Sequence, residues 1–281
     1  MQVTVDNLKS MCEKLNIASS VPDDSHEMFL FGIRGSRADQ YLVEADALEI
    51  TQRNLEPDKW RCTIIQMYKD KIMAFQATTL PGKYYTVNPF VPQGAARLIY
   101  GKWSFKRGLH QGKYPALVQN GNMIILRDTD KDFNMDYNSD YLQCGGFGIN
   151  NHAGGGTDSI GKWSAGCQVI RGEFISGASK SWDSRQWTTY KSRAYSSTNK
   201  VYQYVLIPFE WMSKMVDDGS EYCFHGSSGD RVKAIQQKLG IQKVDGQYGE
   251  FTVREVMKFQ KANSLQAVGV VGPQTAEKMG I

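Results

Sequence analysis

The sequence contains no apolar run approaching the roughly 18 residues that a membrane-spanning helix requires, so no membrane span is expected. Its N-terminus, M-Q-V-T-V-D-N-L-K-S-M-C-E-K-L, has no basic segment leading into an apolar core. That excludes the pattern of a secretory signal peptide and predicts synthesis in a cytoplasm. No C-x-x-C pair occurs, and the five cysteines (Cys12, Cys62, Cys144, Cys167 and Cys223) are odd in number and scattered. They form neither a disulfide framework nor a zinc motif, which fits a reducing compartment. The 33 lysines and arginines exceed the 29 acids by a net charge of +4 without forming a dense run. A nucleic-acid arm is therefore not expected, whereas the mild positive surplus suits an anionic polymer such as a bacterial wall.

What is present begins with length. A chain of 281 residues, 41% apolar, is long for one domain and predicts two. Val5, Leu8, Met11, Cys12 and Leu15 repeat with a helical period, with Asp6 as the expected N-cap, and a polar, turn-rich stretch follows to about residue 25. From Met28 onward, short β-rich runs bounded by Gly, Pro, Asp and Asn predict a mainly β domain extending to residue 222, closed by the strand around V-Y-Q-Y-V-L-I-P. The Gly- and Ser-rich stretch 223–229 reads as a linker. Residues 230–281 then carry helical patterns, with Asp230 as the expected N-cap and Gly240 as the residue past the first helix. The fold class expected is α+β, a mainly β domain followed by a small all-α domain of three helices.

One stretch concentrates the chemistry. G-G-F-G-I-N-N-H-A-G-G-G-T-D-S-I-G-K-W-S-A-G-C-Q-V-I places His152 and Cys167 among glycines. A thiol attacks as thiolate, so a catalytic cysteine needs a nearby base and a backbone that admits the substrate. His152 supplies the base, and Gly166 permits the tight turn that would aim amides near Cys167 at a developing oxyanion. Upstream, His110 lies in a G-L-H-Q-G turn. Asp128, Asp130, Asp132, Asn134 and Asp136 alternate as oxygen ligands do in a calcium-binding loop, or else form a solvated acidic turn. Trp182, Trp187 and Tyr190 are expected to pack on the sheet or to line a substrate groove.

His152 followed by Ser164-Ala165-Gly166-Cys167 resembles the active-site signature of the L,D-transpeptidase (YkuD-like) family of cell-wall enzymes. Ala165 stands where that family usually has histidine. The wider pattern, G-x-F-G-I-N-x-H with W-S-A-G-C-Q-V, is similar to a variant set in phage and prophage proteins thought to cut peptidoglycan. The resemblance implies an L,D-transpeptidase-like fold for residues 1–222, catalytic Cys167 and His152 supported by Gly166 and Ser164, and substrate contacts from His110, Asn150 and Trp163. The paired turns D245-G-Q-Y-G-E-F-T252 and V268-G-V-V-G-P-Q-T275 resemble the three-helix peptidoglycan-binding module of wall hydrolases. Together they imply an endolysin-type, monomeric wall-lytic enzyme that cleaves the stem peptide and needs no cofactor beyond a possible structural calcium. It would be made in a host cytoplasm and released by a separate route such as a phage holin. A cross-linking L,D-transpeptidase and a non-catalytic phage wall-binding protein are the alternatives.

Overall fold

The computed structural model describes residues 1–17, 26–133, 141–172 and 185–281. In chain order the elements are β1 (Gln2–Thr4), α1 (Val5–Lys14), β2 (Phe29–Arg34), β3 (Ser36–Ala38), β4 (Ala47–Gln52), β5 (Cys62–Tyr68), β6 (Lys71–Thr78), α2 (Lys83–Val87), β7 (Ala95–Leu98), β8 (Gly101–His110), β9 (Tyr114–Gln119), β10 (Met123–Asp128), β11 (Tyr141–Gly145), β12 (Asn151–Ala153), β13 (Gln168–Ile170), α3 (Arg185–Ser196), β14 (Tyr202–Pro208), α4 (Phe209–Asp217), α5 (Asp230–Lys238), α6 (Glu250–Ala262) and α7 (Pro273–Met279). A mainly β body and a C-terminal helical region make up the chain.

Eight strands close into a barrel in the order β12-β13-β6-β5-β2-β14-β8-β9. Two pairings in it are parallel, β12 with β13 and β14 with β2. Its interior is built from the β-branched and aromatic residues that such strands favour; Phe29, Phe31, Ile64, Phe75, Phe105 and Tyr204 are fully buried. Gly32 is needed there, because a Cβ at that position would lie 1.9 Å from the Tyr204 hydroxyl. That hydroxyl donates to Gln168 Oε1 at 2.8 Å, so the barrel core reaches the residue after Cys167. Two small sheets, β1-β4-β3 and β11-β10-β7, lie outside the barrel.

Trp187 and Tyr190 of α3 are buried, with Tyr190 edge-on to Phe75 at 5.1 Å, so this pair packs on the barrel instead of lining a groove. Trp182 lies outside the described residues. The N-cap of α1 is Thr4, which exchanges hydrogen bonds with Asn7 in a capping box. Asp6, the cap expected from sequence, is the second helical residue, where its charge favours the positive end of the helix dipole.

In the helical region the apolar faces are as the pattern predicts: Val232 and Ile235 of α5 and Val253, Val256 and Met257 of α6 are buried. The cap of α5 is Gly229, and Asp230 is the first helical residue. The two similar turns are organised by two buried glutamines in equivalent roles. Gln236 Oε1 accepts from the Gly246 amide at 2.8 Å while its NH2 reaches Gln247 O and Thr252 Oγ1. Gln260 Oε1 accepts from the Gly269 amide at 2.9 Å while its NH2 reaches Val270 O and Thr275 Oγ1. Asp245 adds an acceptor for Gln236 that Val268, its counterpart in the second turn, cannot provide.

Residues 223–229 do not behave as the linker their composition suggests. Cys223, Phe224 and Ser227 are fully buried. Cys223 pairs with Val271, the Lys102 amide donates to His225 O, and Ser227 Oγ donates to Leu15 O. Glycine and serine serve here to bring backbones close, so the helical region is seated on the body.

Gln260→Ala would leave the Gly269 amide and the Val270 carbonyl buried without partners, a loss of roughly 2–6 kcal/mol at about 1–3 kcal/mol per orphaned group. Urea unfolding of the full chain should register it as a lowered midpoint, whereas an exposed control such as Lys278→Ala should move little.

Candidate active site

Parallel pairing of β12 with β13 sets Asn151 against Gln168 and His152 against Val169. Because the Gln168 amide donates to Asn150 O at 2.9 Å, Cys167 is held beside the residues that lead into His152. A ring nitrogen of His110, a ring nitrogen of His152 and the Cys167 sulfur lie within 4.8 Å of one another. His110 comes from the end of β8, and its ring stacks on His152 with centroids 3.9 Å apart. Thus the three residues come from three separate parts of the sequence and meet at one point.

The glycines of this stretch are positions of contact. Gly166 has φ 136°, and a Cβ there would meet Ala96 O at 2.5 Å. Ser164 is fully buried, donates to Cys167 O at 2.9 Å and accepts from the Gly166 amide at 3.1 Å. Ser164 therefore builds the turn carrying the thiol and is a positioning residue. The Gly166 amide, expected as an oxyanion donor, is already spent on that serine. Gln168 completes the clamp by donating to Gly166 O at 3.3 Å.

Hydrogen bonds determine which histidine nitrogen carries the proton. His152 Nδ1 lies 2.7 Å from Ala153 O, and a carbonyl only accepts, so Nδ1 is the donor and Nε2 keeps a free lone pair. The Tyr114 hydroxyl stands 3.1 Å from the same Nδ1. Asp158, near His152 in sequence, pairs with Arg171 at 2.7 Å and is exposed, so it does not orient the imidazole. For His110 the logic inverts. Asn150 Oδ1 accepts from the Gln119 amide at 3.0 Å, which leaves its NH2 to donate to His110 Nδ1 at 3.0 Å. His110 consequently carries its proton on Nε2 and is a donor. The trio could by proximity hold a soft cation, but that tautomer leaves His152 Nε2 and Cys167, fewer than the three protein ligands a catalytic zinc takes.

Burial governs the charge state. The Cys167 thiol is pushed up to about 11 by desolvation, partly offset by a hydrogen bond with the Asn150 backbone. His152 is pushed down to about 3 by desolvation and by His110, against the Ala153 hydrogen bond. Desolvation, followed by the charge of Lys113, also lowers His110. At neutral pH the pair therefore rests as thiol and imidazole.

Trp163 flanks the site, close enough to Gly155 that a Cβ there would meet its indole nitrogen at 2.2 Å. A groove of about 780 Å³ opens over the trio, with Asn150, Trp163 and Ala165 also lining it. Sequence reasoning missed Tyr114, the Ala153 carbonyl and Gln168. Only the closeness of Tyr114 to His110 along the β8–β9 turn could have flagged the first.

The acidic loop lies elsewhere. Asp128 is fully buried and ion-paired with buried Arg97, and carboxylate oxygens of Asp128, Asp130 and Asp132 lie within 4.8 Å of one another. Desolvation, opposed by Arg97 and reinforced by the other two carboxylates, raises Asp128. Asn134 and Asp136 lie outside the described residues.

Residues 228–279 match the family model of the putative peptidoglycan binding domain. No curated protein and no solved structure matches the chain. The match covers the helical region, beginning within the buried connector, and supports association with the cell wall. No helix among the described residues is long and apolar enough to cross a membrane.

Iodoacetamide should alkylate Cys167 slowly at pH 7 in the substrate-free protein, with a rate that climbs as pH rises toward the thiol's raised range and that His152→Ala leaves nearly unchanged. Peptide mapping at Cys167 measures this apart from half-buried Cys144. A rate already at its plateau below pH 8 would instead reveal a preformed thiolate–imidazolium pair.

Proposed function

We propose that the protein is a peptidoglycan hydrolase in which the β body cleaves the stem peptide by cysteine chemistry while the C-terminal module holds it on the wall. The observation that carries this reading is the convergence of Cys167 and His152 at the floor of a groove, with His152 Nε2 left free by the Ala153 carbonyl. The wall-binding match supports the substrate, and the resemblance of the His152 to Cys167 stretch to the L,D-transpeptidase signature supports the reaction.

In this mechanism the Cys167 sulfur attacks a peptide carbonyl and His152 Nε2 takes the thiol proton as the bond forms. The carbonyl oxygen becomes an oxyanion, for which the Cys167 amide and the Nε2–H of His110 are the available donors. Collapse expels the amine, which receives the proton from His152 and leaves a thioester. Water, deprotonated by the same imidazole, releases the acid and restores the thiol. Delivery of an acceptor amine in place of water would give cross-linking instead.

Purified peptidoglycan treated with wild type should yield new stem-peptide ends detectable by mass spectrometry. Cys167→Ala should yield none while still sedimenting with the wall, and Cys167→Ser should lose at least about 10³-fold in rate, since a serine has no comparable anion for this base. Identical fragments from wild type and Cys167→Ala would move the chemistry elsewhere.

For the acidic loop we propose a structural role resting on the Asp128–Arg97 pair, with calcium held by Asp130 and Asp132 as an addition to it. Millimolar calcium should raise the melting temperature of wild type but not of Asp130→Asn/Asp132→Asn, and equal melting of both with and without calcium would leave the ion pair alone as the loop's function.

A further inference from the structure

The groove over Cys167 has a one-sided charge. Lys113, Arg127 and Lys162 line it, and no aspartate or glutamate does so among the described residues. Among the described residues Arg127 bonds neutral oxygens, with Nε on Gln143 Oε1 at 2.8 Å and a longer bond to Gly94 O. Its guanidinium lies over the Phe147 ring with 5.4 Å to the centroid. Lys162 holds its ammonium 4.1 Å over the centroid of the Tyr84 ring, and Lys113 is exposed at the rim beside Tyr114. Three like charges around a groove with apolar walls repel one another and focus a positive potential inside it. An anionic occupant relieves that cost.

We infer that this groove selects acyl donors bearing a free carboxylate near the scissile carbonyl, with Lys113, Arg127 and Lys162 as the residues that set this specificity. A half-buried arginine fork held by neutral partners matches a planar carboxylate, and the two lysines add charge without demanding one geometry. Phe147, Trp163 and Tyr85 supply apolar wall for the rest of a peptide. The inference rests on the reading of Cys167 as nucleophile only for the word acyl; the selection itself is a binding property.

The test uses the full chain carrying Cys167→Ala, so that nothing is consumed, and isothermal titration with two synthetic stem peptides identical except that one has free carboxylates and the other has them amidated. The free acid should bind about tenfold more tightly, a ratio that shrinks as salt screens the charges. Lys113→Gln/Lys162→Gln, both at exposed positions, should bring the acid down to the amide while leaving amide affinity unchanged. Arg127→Gln should do the same, with a melting curve to show that the β10–β11 pairing survives. Equal affinity for acid and amide overturns the inference, as does tighter binding of inorganic phosphate than of the free acid. Wild type incubated with the same pair separates the two claims. Carboxylate-selective binding without cleavage would refute the hydrolase reading alone, and equal cleavage of both peptides with equal affinity would refute the selection alone.

Discussion

Two three-residue strands lying side by side decide what this molecule can do. Because β12 and β13 run parallel, the chain must leave one and return to the start of the other, and the residues between them must cross over instead of turning back. That crossover carries the glycines that make the stretch conspicuous, and most are there for want of room. A Cβ at Gly154 would strike Val169 and Trp60, one at Gly155 would strike Trp163, and one at Gly166 would strike the Ala96 carbonyl. Glycine content that might suggest a pliable loop is instead the consequence of close packing around a fixed thiol. Behind it, Gly32 leaves space for Tyr204, Tyr204 holds Gln168, and Gln168 holds the carbonyl before Cys167.

The same burial that fixes the pair also keeps it neutral. A thiol raised to about 11 and an imidazole lowered to about 3 mean that ionisation of the pair is disfavoured from both ends. The proposed reaction then depends on charge arriving with the substrate. On that reading an anionic peptide in a groove lined by three cations would bring polar groups and displace water, and the Nε2–H of His110, set by Asn150, would serve as a donor for the developing oxyanion. Asn150 owes its orientation to the Gln119 amide, so a backbone N–H of β9 bonded to a side-chain oxygen determines the tautomer of a histidine in β8. Such a link is physical but silent in composition.

That silence marks the limit of what could be read from the chain. The C-terminal module was legible because its signal is local: two turns of one pattern, each followed by a helix whose apolar face recurs within a few residues. The β character of the body was legible for the same reason. Cys167 and His152 stood out through residue type and glycine neighbours, yet the Ala153 carbonyl and Tyr114 did not, since hydrogen-bonding a histidine demands no particular side chain in the one case and a register across strands in the other. Asp158 shows the converse, since nearness to His152 in sequence brings it to Arg171 and not to the imidazole. At residues 223–229 the Gly- and Ser-rich composition reads as a linker, whereas Ser227 is buried and satisfies a helix-end carbonyl at Leu15.

The seating of that connector changes how the two parts of the chain can act together. A flexible tether would let the wall module raise the local concentration of substrate with no preferred direction, and its benefit would depend only on length. Here His225 stacks on Trp103 at 4.2 Å and bonds along β8, the strand that ends in His110. Arg254 of α6 reaches Leu142 O of β11 as well. The module is thereby attached to the same strand that delivers a residue to the groove. Binding to the wall would then fix the approach of the groove to its polymer as well as its nearness, and a peptide presented at the wrong height would gain nothing from tight anchoring. In such an arrangement selectivity resides partly in the rigid seat between the two parts, and the groove's own charges need only discriminate among peptides that the seat already allows to reach Cys167.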